Sequence, residues 1–359
     1  MEKNEEERIG TRTKRNKKEK KKKKALKIFG VIIAVILIIL LGIGAGGYWY
    51  VKDKLGKMQQ VDINEEELNI DTQVEENLSE YRNIAIFAID SREDDYGKGN
   101  RSDGIIIATI NNKTKEVSLT SVYRDCYVQI EGHGLDKITH AYSYGEAPLA
   151  ISTLNTNLDL NIKEFATVNF DSVADIVNAL GGVEINVESS EIKYLNSYIP
   201  ETSRVTGLKT SQITRAGKQT LDGVQAVSYA RIRYTAGGDY KRTERMRTVI
   251  MAAAEKLKTR SIGEINKFLD IALPKIYTNI SAGEILSMVP DALNYKFTGN
   301  MGWPYEVKGY TGAAWYGVPI TLESNVKKLH QDLFKEENYE PTETVKTISN
   351  KIINKTGYR

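Results

Sequence analysis

The chain carries a single cysteine, Cys126, among 359 residues. That excludes an intramolecular disulfide framework. With no C-x-x-C pair and no paired histidines, it also leaves no zinc-ligand pattern. The three histidines, His133, His140 and His330, are far apart, lack helical partners, and read as structural or surface residues. No G-x-S-x-G elbow occurs, so a Ser-His-Asp or Cys-His hydrolase has no sequence context. Any chemistry must rest on carboxylates and guanidinium groups. Positive charge is also lacking where a nucleic-acid surface would need it. Residues 1–27 hold thirteen Lys/Arg against five Glu, whereas the rest of the chain has 37 basic and 42 acidic groups. This mildly acidic remainder argues against nucleic acid as a partner.

Long apolar runs are scarce as well. The one present covers Ile28 to Val51, twenty-four uncharged residues, long enough to span a bilayer with some tilt. The lysine-rich segment immediately before it sets the orientation, and Tyr48, Trp49 and Tyr50 sit where an interfacial aromatic belt belongs. The expected layout is a basic cytoplasmic tail (1–27), a retained single-pass signal anchor (28–51) and a polar extracellular spacer (52–80). A globular part outside the cell membrane follows.

That part opens with NIAIFAID, GIIIATI and EVSLTSV, short apolar runs rich in β-formers, with NNKTK as a hairpin turn. DKITHAYSYGEAPLAISTLNTNL is helical in pattern and divided near Gly145. FATVNF and VEINVE read as strands flanking a helix capped by Asp171 and stopped at Gly181-Gly182. Residues 189–214 show no clear period and read as a surface excursion. Asp222/Gln225, Ser261/Glu264 and Ser281/Glu284 are capping boxes, and a longer helix starts near Asp239. YKFTGN, YEVKGYTG and AAWYGVPITL look like strands, SNVKKLHQDLF like a last amphipathic helix, and the end from Glu337 like a mobile polar tail (337–359). Interleaved strands and helices predict an α/β domain, a mixed central sheet covered by helices on both sides.

Three charged constellations stand out. In AIDSREDDYGKGNRSDG, Asp90 ends a strand and Asp103 ends the loop feeding the next. Such strand ends are where α/β folds build sites, and two carboxylates there suit Mg²⁺ or are loop caps. In SVYRDCYV, Arg124-Asp125 interrupts two apolar runs, either as a surface ion pair or as part of a site. Tyr229 to Arg247, YARIRYTAGGDYKRTERMR, packs five arginines and a lysine into nineteen residues. Arg231 and Arg233 share a face if the segment is extended, and Arg242 and Arg245 share a face of the following helix. Folded together across Gly237-Gly238, these guanidinium groups would need an anion, and a diphosphate matches their bidentate geometry; a solvated charged face is the other reading. Asp239 is placed to cap the helix or to accept a proton.

NIAIFAIDSR, NRSDGIIIATINNKTKEVSLTSVYRD, DKITHAYSYG, NALGGVEINV, GKQTLDGVQAVSYARIR and GDYKRTERMR occur in one order. That series resembles the LytR-CpsA-Psr family of bacterial cell-envelope proteins over roughly residues 81–255, with 256–336 as a C-terminal extension packed on that catalytic domain. The resemblance implies a phosphotransferase that moves a glycopolymer (teichoic acid, capsular or another secondary wall polysaccharide) from a polyprenyl-diphosphate carrier to peptidoglycan, without a nucleotide. It implies Asp90 and Asp103 as metal ligands for Mg²⁺. Arg92, Arg101, Arg124, Arg231, Arg233, Arg242 and Arg245 become residues that bind the pyrophosphate of the lipid carrier, with Asp125 in the same motifs. Asp239, with Arg124, Arg231 and Arg233, becomes catalytic.

Three positions depart from the family pattern: Tyr123 replaces a proline, Gly104 a threonine and Met246 a glutamine. A non-catalytic polyprenyl-phosphate or wall-polymer binding protein is the alternative that Met246 favours. A membrane-bound transcriptional attenuator is another, although 27 cytoplasmic residues are too few for a DNA-reading fold.

Overall fold

The computed structural model describes residues 56–91, 95–258, 260–281, 284 and 295–359. The expected anchor at 28–51 and the tail before it lie outside the described residues. Among the described residues no helix is long and apolar enough to cross a membrane.

After a two-residue strand β1 (Gln59–Gln60) and a short helix α1 (Thr72–Asn77), three apolar runs form an antiparallel meander: β2 (Tyr81–Ile89), β3 (Ser102–Asn111) and β4 (Glu116–Val122). A hairpin of β5 (Tyr127–Ile130) and β6 (Gly134–Lys137) leads into α2 (Ile138–Leu158). Then come β7 (Glu164–Asn169), α3 (Phe170–Ala179), β8 (Val183–Val187), α4 (Ser189–Thr206), β9 (Gly217–Leu221), α5 (Gly223–Ala230), α6 (Gly238–Lys258) and α7 (Ile262–Ala272). The chain closes with β10 (Tyr277–Thr278), β11 (Lys296–Trp303), the hairpin β12 (Val307–Thr311) and β13 (Trp315–Pro319), α8 (Leu322–Phe334) and α9 (Glu343–Thr356).

The central sheet has seven strands in the order β1-β10-β7-β2-β3-β4-β11. It is mixed: β2 is antiparallel to β3 and parallel to β7, while β4 is parallel to β11. Strand periodicity assigns its two faces. Ile84, Ile106, Ala108 and Ile110 pack into the core formed with α3 to α7, whereas Ala85, Phe87, Ile89, Ile105 and Ile107 pack into the core formed with α1, α2, α8 and α9. Successive residues point to opposite faces, so a run that is apolar at every position requires cover on both sides. The helices supply that cover, as the sequence pattern led one to expect.

Local expectations met several corrections. The segment read as a spacer is folded from residue 56: Leu68, Val74 and Leu78 are buried in the α2-side core, and β1 pairs with β10. Its apolar residues are few but lie behind a cap, with Asp71 accepting hydrogen bonds from the Gln73 and Val74 amides. Residues 189–214 contain α4, started by a Glu188/Glu191 capping box and burying Leu195 and Ile199. The tail expected to be mobile contains α9, which buries Val345, Ile348 and Ile352 at helical spacing and is tied to Asp159 by Thr342. Asn169 rather than Asp171 caps α3. The break in α2 at Gly145 and Glu146, and the capping boxes of α5 and α7, are as expected.

Candidate functional site

The site grows from an irregularity in the β2–β3 ladder. Ile89 pairs with Ser102 and Ala88 with Gly104, so Asp103 is an extra residue on β3. Such a bulge re-aims a side chain that regular alternation would send elsewhere. Asp103 consequently turns its carboxylate into a cleft at the strand ends while remaining only 9 % exposed. Asp90 follows β2 directly, its amide donating to the Arg101 carbonyl at 3.3 Å, and both side chains line the same cleft.

Three arginines converge on Asp103 from separate parts of the chain. Arg124, just past β4, donates from Nη1 to Oδ1. Arg233 donates from Nη2 to Oδ2 at 3.0 Å. Arg242, on α6, places Nη1 3.6 Å from Oδ2 and donates from Nη2 to the Asp103 carbonyl at 2.7 Å. Arg242 is 1 % exposed, so its charge is held almost wholly out of water.

Arg231 enters the cleft differently. The extended segment that would align it with Arg233 is absent: Arg231 ends α5 in helical conformation and buried Ile232 separates the pair. Its guanidinium lies over the rings of Phe170 and Tyr198, 5.0 and 5.2 Å from their centroids, and donates to Thr202 Oγ1 and Glu201 Oε2 at 3.1 and 3.0 Å.

The face shared by Arg242 and Arg245 is also corrected. Arg245 turns from the cleft and is buried against Glu191 at 2.7 Å, while donating to the Ile232 carbonyl at 3.1 Å and to Thr235 at 2.6 Å. Arg245 is a brace for the loop bearing Arg231 and Arg233. Met246, one helical turn beyond Arg242, lines the cleft instead. Asp125 leaves the cleft too, bound by Lys137 at 2.7 Å. Asp239 is the second residue of α6, but its side chain lies outside the described residues, as does all of Arg92.

Residues that sequence reasoning missed now have a place. Phe170 and Tyr198 are cleft walls, Glu201 holds Arg231, and Glu191 holds Arg245. Tyr198 and the two glutamates lie on or beside α4, the helix that was read as irregular, so no periodic signal singled them out.

The cleft encloses about 190 Å³. Five arginines and two aspartates line it, and Glu201 pairs with Arg231 at its edge, which leaves an excess of two positive charges. Like charges so concentrated, with one almost fully desolvated, favour an anionic ligand with several oxygens. Among the described residues no group of three or more His, Cys, Asp or Glu side chains is gathered for a metal. The donor set is two carboxylates, which fits an ion that completes its shell with water and ligand phosphates, as Mg²⁺ does.

The sequence pattern of the LytR_cpsA_psr family matches residues 47–326. Among curated proteins, the chain is 33 % identical over 260 residues to the polyisoprenyl-teichoic acid–peptidoglycan teichoic acid transferase TagU of Enterococcus faecalis, covering 72 % of this chain and 78 % of the relative. Among solved structures it is similar to TagT bound to LI-WTA, with a TM-score of 0.56 and 26 % identity over 72 % of this chain and 92 % of the other. It is also similar to the LytR-CPS2A-psr family protein YwtF (TagT) with bound octaprenyl pyrophosphate lipid, with a TM-score of 0.52 and 25 % identity over the same shares.

Proposed function

Because this chain belongs to the LytR_cpsA_psr family, we propose that it transfers a glycopolymer from a polyprenyl-diphosphate carrier to peptidoglycan, forming a phosphodiester link. The observation that carries this reading is the convergence of Arg124, Arg233 and Arg242 on Asp103, in a cleft where the arginines outnumber the nearby carboxylates by two. The carrier's diphosphate supplies the missing anion.

In this reading an acceptor hydroxyl attacks the phosphorus attached to the glycan. The bond from that phosphorus to the bridging oxygen breaks, and polyprenyl phosphate leaves with the electron pair. The five cleft arginines hold the phosphate oxygens and stabilise the charge that grows on the leaving phosphate. Phe170 and Tyr198 help to keep Arg231 in place through cation–π contacts with its guanidinium. Asp239, one turn ahead of Arg242 on α6, takes the proton from the acceptor hydroxyl. Asp90 and Asp103 would hold Mg²⁺, which supplies further charge neutralisation at the diphosphate. No nucleotide is needed, since the diphosphate bond is already activated.

The same reading places the protein in the cell membrane. Residues 28–51 anchor it, residues 1–27 remain cytoplasmic, and the folded domain lies outside, beside a lipid-linked substrate. The basic tail and the uncharged run support this orientation.

The test is transfer by the full chain in detergent, with a lipid-linked glycan donor and a peptidoglycan acceptor, with and without EDTA. Transfer that chelator suppresses and that Arg124→Ala lowers by roughly a hundredfold or more is expected. Wild-type protein that binds the donor but never transfers it would reduce the chain to a binding protein. Transfer indifferent to EDTA would remove the metal from the mechanism.

A further inference from the structure

A second cavity adjoins the arginine cleft and has a different character. It encloses about 290 Å³ and is lined mainly by apolar surface, including Tyr123, Tyr240 and Trp315, with Asp125 also in its wall. Tyr123 and Tyr240 meet edge to face, their centroids 4.3 Å apart and their planes at 88°. Trp315 projects from the β12–β13 hairpin, which is docked onto the β4–β5 junction by the Gly317 amide donating to the Asp125 carbonyl at 2.8 Å. The Asp125 carboxylate is oriented by Lys137.

Two features make this more than a packing gap. Trp315 is 50 % exposed and Tyr240 42 % exposed, and they are two of the four large hydrophobic side chains exposed among the described residues. Large aromatic rings left in water beside a formed cavity mark a surface that a ligand covers. The cavity is also built on the same elements as the arginine cleft. Tyr123 lines one and Arg124 the other; Gly237, Gly238 and Tyr240 at the start of α6 line one, and Arg242 and Met246 further along it line the other.

We propose that this aromatic cavity seats one pyranose ring of the acceptor glycan strand, next to the phosphoryl group it receives. The proposal rests on the transferase reading above and adds the acceptor subsite to it. Aromatic rings match the C–H face of a sugar, and a carboxylate accepts from its hydroxyls. Size decides against the carrier lipid. At the lower edge of the roughly 300–1,000 Å³ typical of small-molecule pockets, the cavity suits a single ring and not a long prenyl chain. Position decides for the acceptor: the wall formed by Gly238 and Tyr240 flanks Asp239, the residue assigned to the acceptor hydroxyl.

The experiment uses the full chain in detergent with Trp315→Ala and Trp315→Phe variants. Transfer is followed at varied concentrations of uncrosslinked peptidoglycan strands and, separately, of the lipid-linked donor. Trp315→Ala should raise the acceptor KM about tenfold or more, a single aromatic contact of roughly 1.4 kcal/mol. The donor KM and the thermal stabilisation by inorganic pyrophosphate should stay as in the wild type, and Trp315→Phe should recover much of the loss. Direct titration with N-acetylglucosamine oligomers provides an arm independent of turnover: wild type should bind them and Trp315→Ala should not. A rise in donor KM alone would assign the ring to the donor glycan and overturn the proposal. So would an unchanged acceptor KM with unchanged oligomer binding. Wild-type protein that binds oligomers and pyrophosphate but does not transfer would refute the transferase reading while leaving the sugar site standing.

Discussion

Asp103→Asn keeps the shape of the carboxylate and removes its charge, which isolates what that charge does. Asp103 is the shared partner of Arg124, Arg233 and Arg242. Without it, the five arginines keep only Asp90 and Glu201 as carboxylate partners, and the positive excess rises from two to three. Removing one partner from a buried ion pair typically destabilises by about 3–5 kcal/mol, because the remaining charge is left desolvated. The lower end is expected here, since the Arg233 side chain is 42 % exposed and water screens it. For a domain of this size, 3–5 kcal/mol corresponds to a fall in Tm of roughly 6–15 °C. Thermal unfolding of the full chain in detergent, with EDTA present so that no metal contributes, reads this directly. Inorganic pyrophosphate should then stabilise the variant more than the wild type, because the ligand replaces the missing negative charge. If its Kd improves tenfold, the added stabilisation is about 1.4 kcal/mol at saturating ligand. A Tm within two or so degrees of wild type, or a pyrophosphate shift no larger than the wild-type shift, would refute the electrostatic account of the cleft.

Glu191→Ala strands the buried Arg245 guanidinium and should destabilise by about 3–5 kcal/mol in urea unfolding, whereas Glu191→Leu combined with Arg245→Met should lose much less; equal losses would mean that the brace acts by packing alone. Gly104→Ala would set a Cβ 3.0 Å from Met246 Sδ and 3.0 Å from Ala88 Cβ, at a cost of roughly 1–3 kcal/mol. Met246→Ala should relieve part of that strain, giving a coupling of at least about 0.5 kcal/mol in a double-mutant cycle, and strict additivity would show that the two sites do not meet.

That contact also brings together two of the positions that the sequence reading expects to depart from the family pattern. Gly104 and Met246 look independent in sequence, 142 positions apart, yet the methionine sulfur fills the space that a side chain at 104 would need. Tyr123, the third of these positions, meets Tyr240 edge to face in the wall of the aromatic cavity. The helices that were missed share one cause. In α1, α4 and α9 the apolar residues are few and set among Ser, Thr, Asn and Glu, so periodicity was faint and composition read as irregular. Each becomes a helix because a cap starts it and a sheet face needs covering.

Local patterns along the chain were enough to establish the mixed sheet with helices on both faces, since runs such as GIIIATI are apolar at every position and cannot leave either face in water. Composition was enough to assign the chemistry to arginine and aspartate, because little else was available. Which arginines act together was decided only by the fold. The register shift that turns Asp103 inward, the helical end of α5 that parts Arg231 from Arg233, and the rotation of α6 that sends Arg242 to the cleft and Arg245 to Glu191 are all long-range outcomes. Spacing in sequence reports which side chains share a face of one element, but a charged cleft is made by several elements meeting, and their meeting is set by the packing of the core beneath them.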